Sequence, residues 1–182
     1  MKSAVKFELK NGKIVTVRRI RGTDYDAMMD FFDRFVQDPS VKYTSQYLGQ
    51  PKKNKELSVA MYDNPNNLFL GAWDGDEIIG ECSIMKIAPQ NPKFRGLTGE
   101  TGNIILDEYT SKGLGGKLNI MIEEWARENG VHKLEAEVFH KNIRSLNNFI
   151  KRGYEIVGIK HDCAIVDKER MHIYILEKIL EK

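Results

Sequence analysis

The chain has 182 residues, 41% of them hydrophobic and 30% charged, and its formal net charge is +2. This length suits one domain with a sizeable core, and the small charge excess does not argue for a nucleic-acid partner. No apolar run approaches the roughly 18 residues of a membrane span, and the N-terminal M-K-S-A-V-K-F-E-L-K lacks a signal-peptide core. The two cysteines, Cys82 and Cys163, are expected to be buried reduced thiols, so a cytoplasmic protein without a nucleic-acid or membrane partner is predicted.

The N-terminal half predicts one strand, two helices and a hairpin. Residues 13–20 alternate between apolar and polar side chains, as a strand does. Thr23 or Asp24 can cap the following helix, whose apolar residues recur at helical spacing. Residues 37–55 are polar and irregular, which is typical of a linker or a functional loop, and a short helix is expected after them. Two apolar runs then flank Asp74-Gly75, which is a strong hairpin signal.

The C-terminal half predicts two strand–helix units and a final pair of strands. The run G-E-T-G-N-I-I-L has strand character, and a glycine-rich turn and a helix to about residue 129 follow it. After the next strand, Asn142 can cap a second helix that ends at Gly153. Two strands, over about 156–165 and 172–177, close the chain. The order β-α-α-β-β-β-α-β-α-β-β predicts an α/β (α+β) fold on one mixed sheet with helices on both faces.

The stretch Y-T-S-K-G-L-G-G-K-L, residues 109–118, places three glycines at the start of the first of these helices. A helix N-terminus presents free backbone N–H groups at the positive end of the helix dipole, and phosphates bind there. Two nucleotide-binding motifs fit poorly. A Walker A loop requires a hydroxyl where Leu118 stands, and a Rossmann fingerprint requires a glycine at the same position.

This stretch resembles the pyrophosphate loop of the GNAT superfamily, the N-acetyltransferases that use acetyl-CoA. The family motif Q/R-x-x-G-x-G/A aligns with residues 110–115, where Thr110 replaces the Gln or Arg. The segment N-I-R-S-L-N-N-F-I-K-R-G-Y-E, which begins at Asn142, is similar to the family pattern N-x-x-A-x-x-x-Y-x-x-x-G-F. The element order of the whole chain also agrees with the family fold.

The resemblance implies a fold, a domain plan and a reaction. The fold is a single mixed, mostly antiparallel sheet of six to seven strands flanked by about four helices. One acetyltransferase domain would span residues 1–182, with the acceptor-side helices and loop in 13–98 and the acetyl-CoA-binding half in 99–182. The reaction is transfer of an acetyl group from acetyl-CoA to a primary amine, by direct attack in a ternary complex and without a metal. Family members are often dimers, so a homodimer is an open alternative.

The resemblance also assigns residues to the acetyl-CoA site. The backbone N–H of Ile105 or Leu106, where the family's fourth strand separates from its fifth, is expected to donate to the thioester carbonyl oxygen. The loop N–H groups from 111 to 116 would hold the pyrophosphate, and Lys112 and Lys117 would add positive charge. The cofactor-binding residues predicted in this way are Ile105, Leu106, Ser111, Lys112, Gly113, Leu114, Gly115, Gly116, Lys117, Asn142 and Phe149.

Two of these residues belong to the second helix of the C-terminal half. Asn142, besides capping that helix, would contact the CoA arm. Phe149 stands where many family members have a tyrosine that protonates the leaving thiolate, and phenylalanine cannot donate a proton. A thiol with a pKa near ~8.5 can nevertheless leave as a thiolate at mildly alkaline pH. Core packing is expected for Phe149 and for Tyr154.

An amine at neutral pH is mostly protonated, and it must lose a proton before it can attack a thioester. Glu100 is predicted as the general base, because family members often have an acidic or water-binding residue on the strand that leads to the loop. Glu81, Glu137 and His140 are the alternatives. The four histidines show no metal-ligand spacing.

The sequence does not identify the acceptor, which is a small-molecule or protein amine. In the family fold its cleft would be shaped by residues 37–55, with Tyr43, Thr44 and Tyr47, and by the turn at 166–170. The basic run P-K-K-N-K would attract an acidic group of the acceptor or the CoA 3′-phosphate, or would be solvated surface. Two other classes stay open: a non-catalytic module that binds or senses acyl-CoA, and a nucleotide-binding protein.

Overall fold

A computed structural model of the chain describes residues 4–44, 54–87 and 98–180. The strands are β1 (Val5–Glu8), β2 (Ile14–Arg19), β3 (Asn67–Asp74), β4 (Glu77–Lys86), β5 (Thr98–Ile105), β6 (Lys133–Phe139), β7 (Glu155–Val166) and β8 (Glu169–Ile179). The helices are α1 (Tyr25–Phe35), α2 (Lys55–Asp63), α3 (Leu114–Glu128) and α4 (Ile143–Ile150), and short 3₁₀ segments lie at Gly22–Asp24, Pro39–Tyr43 and Asp107–Tyr109.

All of these strands belong to one sheet in the order β1-β2-β3-β4-β5-β6-β8-β7. β5 and β6 are parallel, and the other neighbouring pairs are antiparallel. The mixed, mostly antiparallel sheet is therefore confirmed, but it has eight strands where six to seven are predicted. The additional strand is β1, whose Val5 and Phe7 lie opposite Val17 and Val15 of β2. Its run V-K-F-E alternates apolar and polar residues, as a half-buried strand does.

The helices cover both faces of the sheet. Phe69 and Ser83 are partners across β3 and β4, and the Phe69 ring packs edge-on against Tyr62 of α2 at 5.1 Å. One residue earlier on β4, the Cys82 thiol contacts the Asn119 amide of α3 at 3.4 Å. Because neighbouring strand residues point to opposite faces, α2 and α3 lie on opposite sides of the sheet.

The parallel pair of the sheet is unusually short. β5 and β6 are partners only over Thr98–Glu100, opposite 133–135. Beyond this point β5 stays beside β4 as far as Ile105, and β6 stays beside β8 as far as Phe139. Since each strand keeps its antiparallel partner, the two separate and the sheet opens between 101–105 and 136–139.

A buried ion-pair cluster joins α3 and the end of α4 to strand β8. The carboxylate of Glu123 on α3 accepts at 2.7 Å from Nε of Arg152, which lies just after α4, and at 2.8 Å from Nζ of Lys178 on β8. Burial acts to raise the pKa of Glu123, but the hydrogen bonds from Arg152 and Lys178 outweigh it, and the pKa lies below its usual range. Glu123 is thus a charged side chain that links α3, the end of α4 and β8 inside the core.

Replacing this carboxylate should destabilise the fold. Glu123→Gln leaves Arg152 and Lys178 partly buried without a counter-charge, and breaking one partner of such a pair costs about 3 kcal/mol of unfolding free energy. The matched control is Glu124→Gln, whose side chain is exposed on the same helix and whose change should stay within about 0.5 kcal/mol. Urea unfolding at pH 7 measures both, and equal stabilities of the two variants would contradict a stabilising role of the Glu123 carboxylate.

Candidate active site

A cavity of about 810 Å³ lies at the end of β5, beside the opening between β5 and β6. One wall is the glycine turn and the end of β5, and another is the start of α4. The segment after α1 forms a third wall. The described residues that line the cavity are Lys10, Phe35, Pro39, Ser40, Lys42, Tyr43, Thr44, Asn103, Ile104, Ile105, Asp107, Thr110, Ser111, Gly113, Gly115, Gly116, Lys141, Asn142, Ile143, Arg144, Ser145, Asn147, Asn148 and Lys151.

The glycine turn presents the N-terminus of α3 to this cavity. Gly113 is the N-cap residue at φ +90°, a conformation that L side chains rarely adopt. The Lys117 N–H donates to the Gly113 carbonyl at 3.2 Å, so the N–H groups of residues 114–116 precede the first bond of the helix and have no partner within it. Ser111, at φ 58°, also lines the cavity, whereas the side chain of Leu114 is in the core.

The two following glycines keep the first turn of α3 narrow. A Cβ on Gly115 would meet Ile105 Cδ1 at 3.4 Å and Asn148 Nδ2 at 3.5 Å, and one on Gly116 would meet Asn148 Oδ1 at 3.7 Å. These are ordinary contact distances, so a small side chain fits without strain at either position. It would, however, occupy the space that the cavity has between β5, α3 and α4.

The ladder between β4 and β5 distinguishes the two predicted oxygen-binding N–H groups. The N–H of Leu106 donates to the carbonyl of Ile79 at 3.1 Å. The prediction that Leu106 supplies a free donor is therefore wrong, because its N–H is used within the sheet. In an antiparallel ladder alternate residues point their N–H groups to opposite edges, so the N–H of Ile105 points toward β6, into the opening.

The cavity wall is basic, though not through the lysines that were predicted. Five cationic residues line it, and the one carboxylate among the described lining residues belongs to Asp107: the cations are Lys10, Lys42, Lys141, Arg144 and Lys151. Lys112 and Lys117 are absent from the lining, and the Lys112 ammonium instead donates to the carbonyl of Glu108. Lys10 comes from the β1–β2 turn, whose backbone also donates to the carbonyl of Lys112 at 3.1 Å.

Asn142 connects the cavity wall to the segment after α1. Its Oδ1 accepts from the N–H of Ser145 at 3.1 Å, which confirms it as the cap of α4. Its Nδ2 donates to the carbonyl of Tyr43 at 2.9 Å. Asp38 makes a second link, because its carboxylate accepts from the N–H of Asp107 at 3.0 Å. The Pro39–Tyr43 segment is thus held across the opening.

Phe149 lies inside the core, as expected. It is 2% exposed, and its ring packs edge-on against Tyr154 at 4.8 Å. It also borders a small cavity of about 20 Å³ beside Gly102 and Asn103. Burial raises the pKa of the Tyr154 phenol well above its usual range, so this hydroxyl does not titrate near neutral pH.

Glu100 lies at the last paired position before the strands separate, and its side chain is exposed. It is the first of four glutamates that are in register across the sheet, followed by Glu135, Glu177 and Glu155. Lys133 sits among them, with its Nζ 2.6 Å from Glu135 and 2.7 Å from Glu177. Glu100 does not line the large cavity.

The other candidate bases have partners. Glu137 pairs with Lys160 of β7. Nδ1 of His140 accepts from the backbone N–H of His172 at 3.1 Å, and the two imidazole rings are 4.8 Å apart. These contacts join β6 to the final hairpin and account for both side chains structurally.

Glu81 of β4 is different, because it is a buried carboxyl without a counter-charge. It is 4% exposed, and its Oε1 has no hydrogen-bond partner. Burial raises its pKa from 4.5 to about 8, and a hydrogen bond with Ser83 lowers it only partly. An unsatisfied buried polar group costs about 1 to 3 kcal/mol. The sequence pattern could not distinguish Glu81 from the exposed glutamates around it.

The remaining predictions fall partly outside the described residues. Tyr47 and the lysines at 52 and 53 lie outside them, whereas Tyr43 and Thr44 line the cavity. The turn at 166–170 connects β7 to β8. Cys82 is buried as expected, but Cys163 is exposed, because it lies where the pairing of β7 with β8 is irregular.

No group of three or more His, Cys, Asp or Glu side chains within the described ranges could hold a metal ion. None of the helices in those ranges is both long enough and apolar enough to cross a membrane.

Comparison with known proteins identifies the class of protein. Residues 28–154 match the model of the acetyltransferase (GNAT) family. A GNAT-family acetyltransferase from Streptococcus pneumoniae superposes with a TM-score of 0.76 at 21% identity, covering 91% of this chain and 99% of the other. No protein of curated function matches the sequence.

Two other solved structures have the same fold. A ribosomal-protein-alanine N-acetyltransferase from Brucella melitensis has a TM-score of 0.73 at 20% identity, with 90% and 99% of the two chains covered. A Salmonella typhimurium protein solved with its cofactor acetyl-CoA has a TM-score of 0.73 at 18% identity, with 92% and 95% covered. The chain belongs to the GNAT acetyltransferase family, as its family match over most of its length shows.

The isolation of Glu81 predicts a pH dependence of stability. Between pH 4.5 and 8 the carboxyl ionises in the unfolded chain but stays protonated in the folded one. The folded state then binds the extra proton, so wild-type stability falls as pH rises, by up to about 1.4 kcal/mol per pH unit. Glu81→Gln removes this loss and should become progressively more stable than wild type toward pH 8.

Urea unfolding at several pH values between 4.5 and 8 tests this expectation. Glu77→Gln is the control, because Glu77 begins the same strand and its side chain is 72% exposed beside Arg34. Its stability curve should run parallel to that of wild type. Parallel curves for Glu81→Gln as well would show that Glu81 is not held protonated by the fold.

Proposed function

We propose that this protein transfers an acetyl group from acetyl-CoA to a primary amine, by direct attack of the amine in a ternary complex. The observation that carries this proposal is the cavity in which a helix N-terminus, a basic wall and the opening between β5 and β6 meet. The pyrophosphate of acetyl-CoA would suit the helix N-terminus and the basic wall, and its amide-containing arm would suit the opening between the strands. Family membership supports the same reaction.

The donor site would use backbone more than side chains. The N–H groups of residues 114–116 would bind the pyrophosphate at the positive end of α3. Ser111, Gly113 and Gly115 would let the backbone approach it, and Asn142 would contact the CoA arm. The N–H of Ile105 would donate to the thioester carbonyl oxygen, where negative charge develops as the amine attacks.

The acceptor would approach from the α1–α2 side and lose its proton to a carboxylate. Glu100 is the proposed general base, because it lies where β5 separates from β6. It is on the same face of the sheet as Ile104, which is four residues further along β5. No tyrosine stands at the position of Phe149 to protonate the leaving thiolate. Coenzyme A would then leave as the thiolate itself, which a thiol pKa near ~8.5 permits at mildly alkaline pH.

The proposed domain plan assigns both substrates to one acetyltransferase unit over residues 1–182. Residues 13–98 would form the acceptor side, and residues 99–182 the acetyl-CoA side. The acceptor is proposed as a small-molecule or protein amine. A ribosomal-protein-alanine enzyme among the structural neighbours supports including a peptide N-terminus among the amines to be tested.

A charge placed at the start of α3 should abolish donor binding without unfolding the protein. Gly115→Asp puts a carboxylate into the anion site, where it would weaken acetyl-CoA binding by about a hundredfold, although a negative residue there is favourable for the helix itself. Gly115→Asn has the same size without the charge and is the matched control. Thermal shift with acetyl-CoA measures both, since a hundredfold excess over Kd stabilises the folded state by about 2.7 kcal/mol.

Three outcomes of that measurement are distinct. Full stabilisation of wild type, weaker stabilisation of Gly115→Asn and none of Gly115→Asp is the expected result, because both side chains occupy cavity space and only Asp adds a negative charge. No shift of wild type with acetyl-CoA or CoA, together with a shift by ATP or NADH, would favour a nucleotide-binding protein. Acetyl-CoA binding by a protein that acetylates none of n-butylamine, 1,4-diaminobutane, phosphinothricin and an alanine-terminated peptide would favour an acyl-CoA-binding module.

The role of Glu100 can be tested by its effect on the pH profile. Glu100→Gln should lower kcat/KM by about a hundredfold and remove the acidic limb of the profile, because a positioned base contributes about 10²–10⁴ in rate. Glu155→Gln is the control: Glu155 is exposed in the same row of glutamates, but it lies on β7, two strands beyond β6. An unchanged profile in Glu100→Gln rejects this assignment.

A further inference from the structure

The turn between β1 and β2 is fixed against the loop that precedes α3. The backbone N–H of Lys10 donates to the carbonyl of Lys112 at 3.1 Å. At the other end of the turn, the Lys13 ammonium pairs with Asp74 and donates to the Tyr109 hydroxyl at 3.2 Å. These contacts join the turn to the loop at two points, so the position of Lys10 relative to the start of α3 is set by the fold.

The side chain of Lys10 covers the N-cap glycine of α3. A Cβ on Gly113 would meet Cγ and Cε of Lys10 at 3.8 and 3.9 Å. The aliphatic part of Lys10 therefore lies against Gly113, and its Nζ is one bond beyond Cε. The next N–H groups along the chain, those of residues 114–116, have no partner within the helix. Because Lys10 also lines the large cavity, its ammonium is accessible to a ligand that binds there.

The Lys10 ammonium has no counter-charge in the free protein. Of the other cations in the cavity wall, Lys141 pairs with Glu169 and Arg144 pairs with Asp107 at 3.0 Å. Among the carboxylates that the structure describes, none pairs with Lys10. A lysine whose alkyl chain is packed while its ammonium is free can bind an anion without first breaking an internal ion pair.

The glycine loop itself lacks a long donor side chain in the cavity wall. The family motif begins with Gln or Arg, and this chain has Thr110 at that position. The Thr110 hydroxyl is shorter, and it donates to the carbonyl of Asp107 at 2.7 Å. The lysine within the loop, Lys112, donates to the carbonyl of Glu108 and does not line the cavity.

We propose that Lys10 supplies from the β1–β2 turn the cation for the donor pyrophosphate that residues 110–115 lack. This rests on the proposed function. Lys10 lies outside residues 28–154, which match the family model, so the assignment concerns this chain and not the family motif. Its Nζ would donate to a pyrophosphate oxygen while the N–H groups of residues 114–116 bind the same group, and such charge-assisted hydrogen bonds are the stronger kind.

Calorimetry with CoA and with dephospho-CoA tests this role at low ionic strength. Both probes contain the pyrophosphate, so Lys10→Gln should bind each of them about tenfold more weakly than wild type. Lys10→Arg keeps the charge and should bind as wild type does. Lys6→Gln is the matched control, because Lys6 is exposed on β1 outside the cavity lining and its loss changes the net charge equally.

Two further measurements distinguish a phosphate contact from a structural role. The difference between Lys10→Gln and wild type should shrink as salt is added, because exposed charges are screened, whereas a structural defect would persist. Adding Thr110→Arg to Lys10→Gln places a long cationic side chain at the first motif position, and this double variant should regain most of the lost affinity.

The outcomes separate this inference from the proposed function. Equal affinity of Lys10→Gln and wild type for CoA would overturn the role of Lys10. Loss of affinity for CoA but not for dephospho-CoA would place Lys10 at the 3′-phosphate and overturn the pyrophosphate assignment. Failure of Thr110→Arg to restore binding would overturn the replacement of the motif residue. Wild type still binds CoA in all three cases, whereas a wild type that binds neither probe would reject the proposed function and this inference with it.

Discussion

The separation of β5 from β6 is the constraint on which the rest of the site depends. A parallel pair that ends after three residues leaves N–H and C=O groups on two facing strand edges, and buried backbone groups need partners. The strands cannot close again, because β5 is tied to β4 by the bond from Leu106 to Ile79 and β6 is tied to β8 along its whole length. The opening is therefore built into the register of the sheet, and α3 begins beside it because the chain turns directly from the end of β5 into that helix.

Two buried glutamates show how the same residue type serves opposite purposes in this fold. Glu123 has a lowered pKa because cations from two other elements meet it, and it joins α3, α4 and β8 as a permanent charge. Glu81 has a raised pKa because no cation meets it, and it stands one strand from the opening. Burial is similar in both cases, so the difference lies only in the partner. The carboxyl with a partner stabilises the fold, and the one without a partner costs stability in the free protein.

Local chemistry was enough to predict most elements from the sequence. Asn142 as a cap, the Asp74-Gly75 hairpin and the glycine turn are each encoded within a few residues, and the structure agrees with all three. What failed depends on register and on distant parts of the chain. The Leu106 N–H is used within the sheet because of the register between β4 and β5. Lys10, and not Lys112 or Lys117, lines the cavity because the β1–β2 turn folds against the glycine turn. Neither relation has a signal in a short window of sequence.

The same topology divides the electrostatics of the cavity between the two faces of the sheet. The cations of the cavity wall come from the β1–β2 turn, the segment after α1 and the start of α4, and they suit an anionic ligand at the N-terminus of α3. The carboxyls Glu81 and Glu100 lie on the α1–α2 face, at either end of the stretch where β5 leaves β6. An anionic donor would therefore meet cations at the start of α3, and a cationic acceptor would meet the carboxylate of Glu100 on the other face of the sheet. If the proposed donor site binds mainly through backbone N–H groups and the proposed acceptor face through side chains, substitutions on β4 and β5 are expected to change the preferred amine while donor binding stays intact.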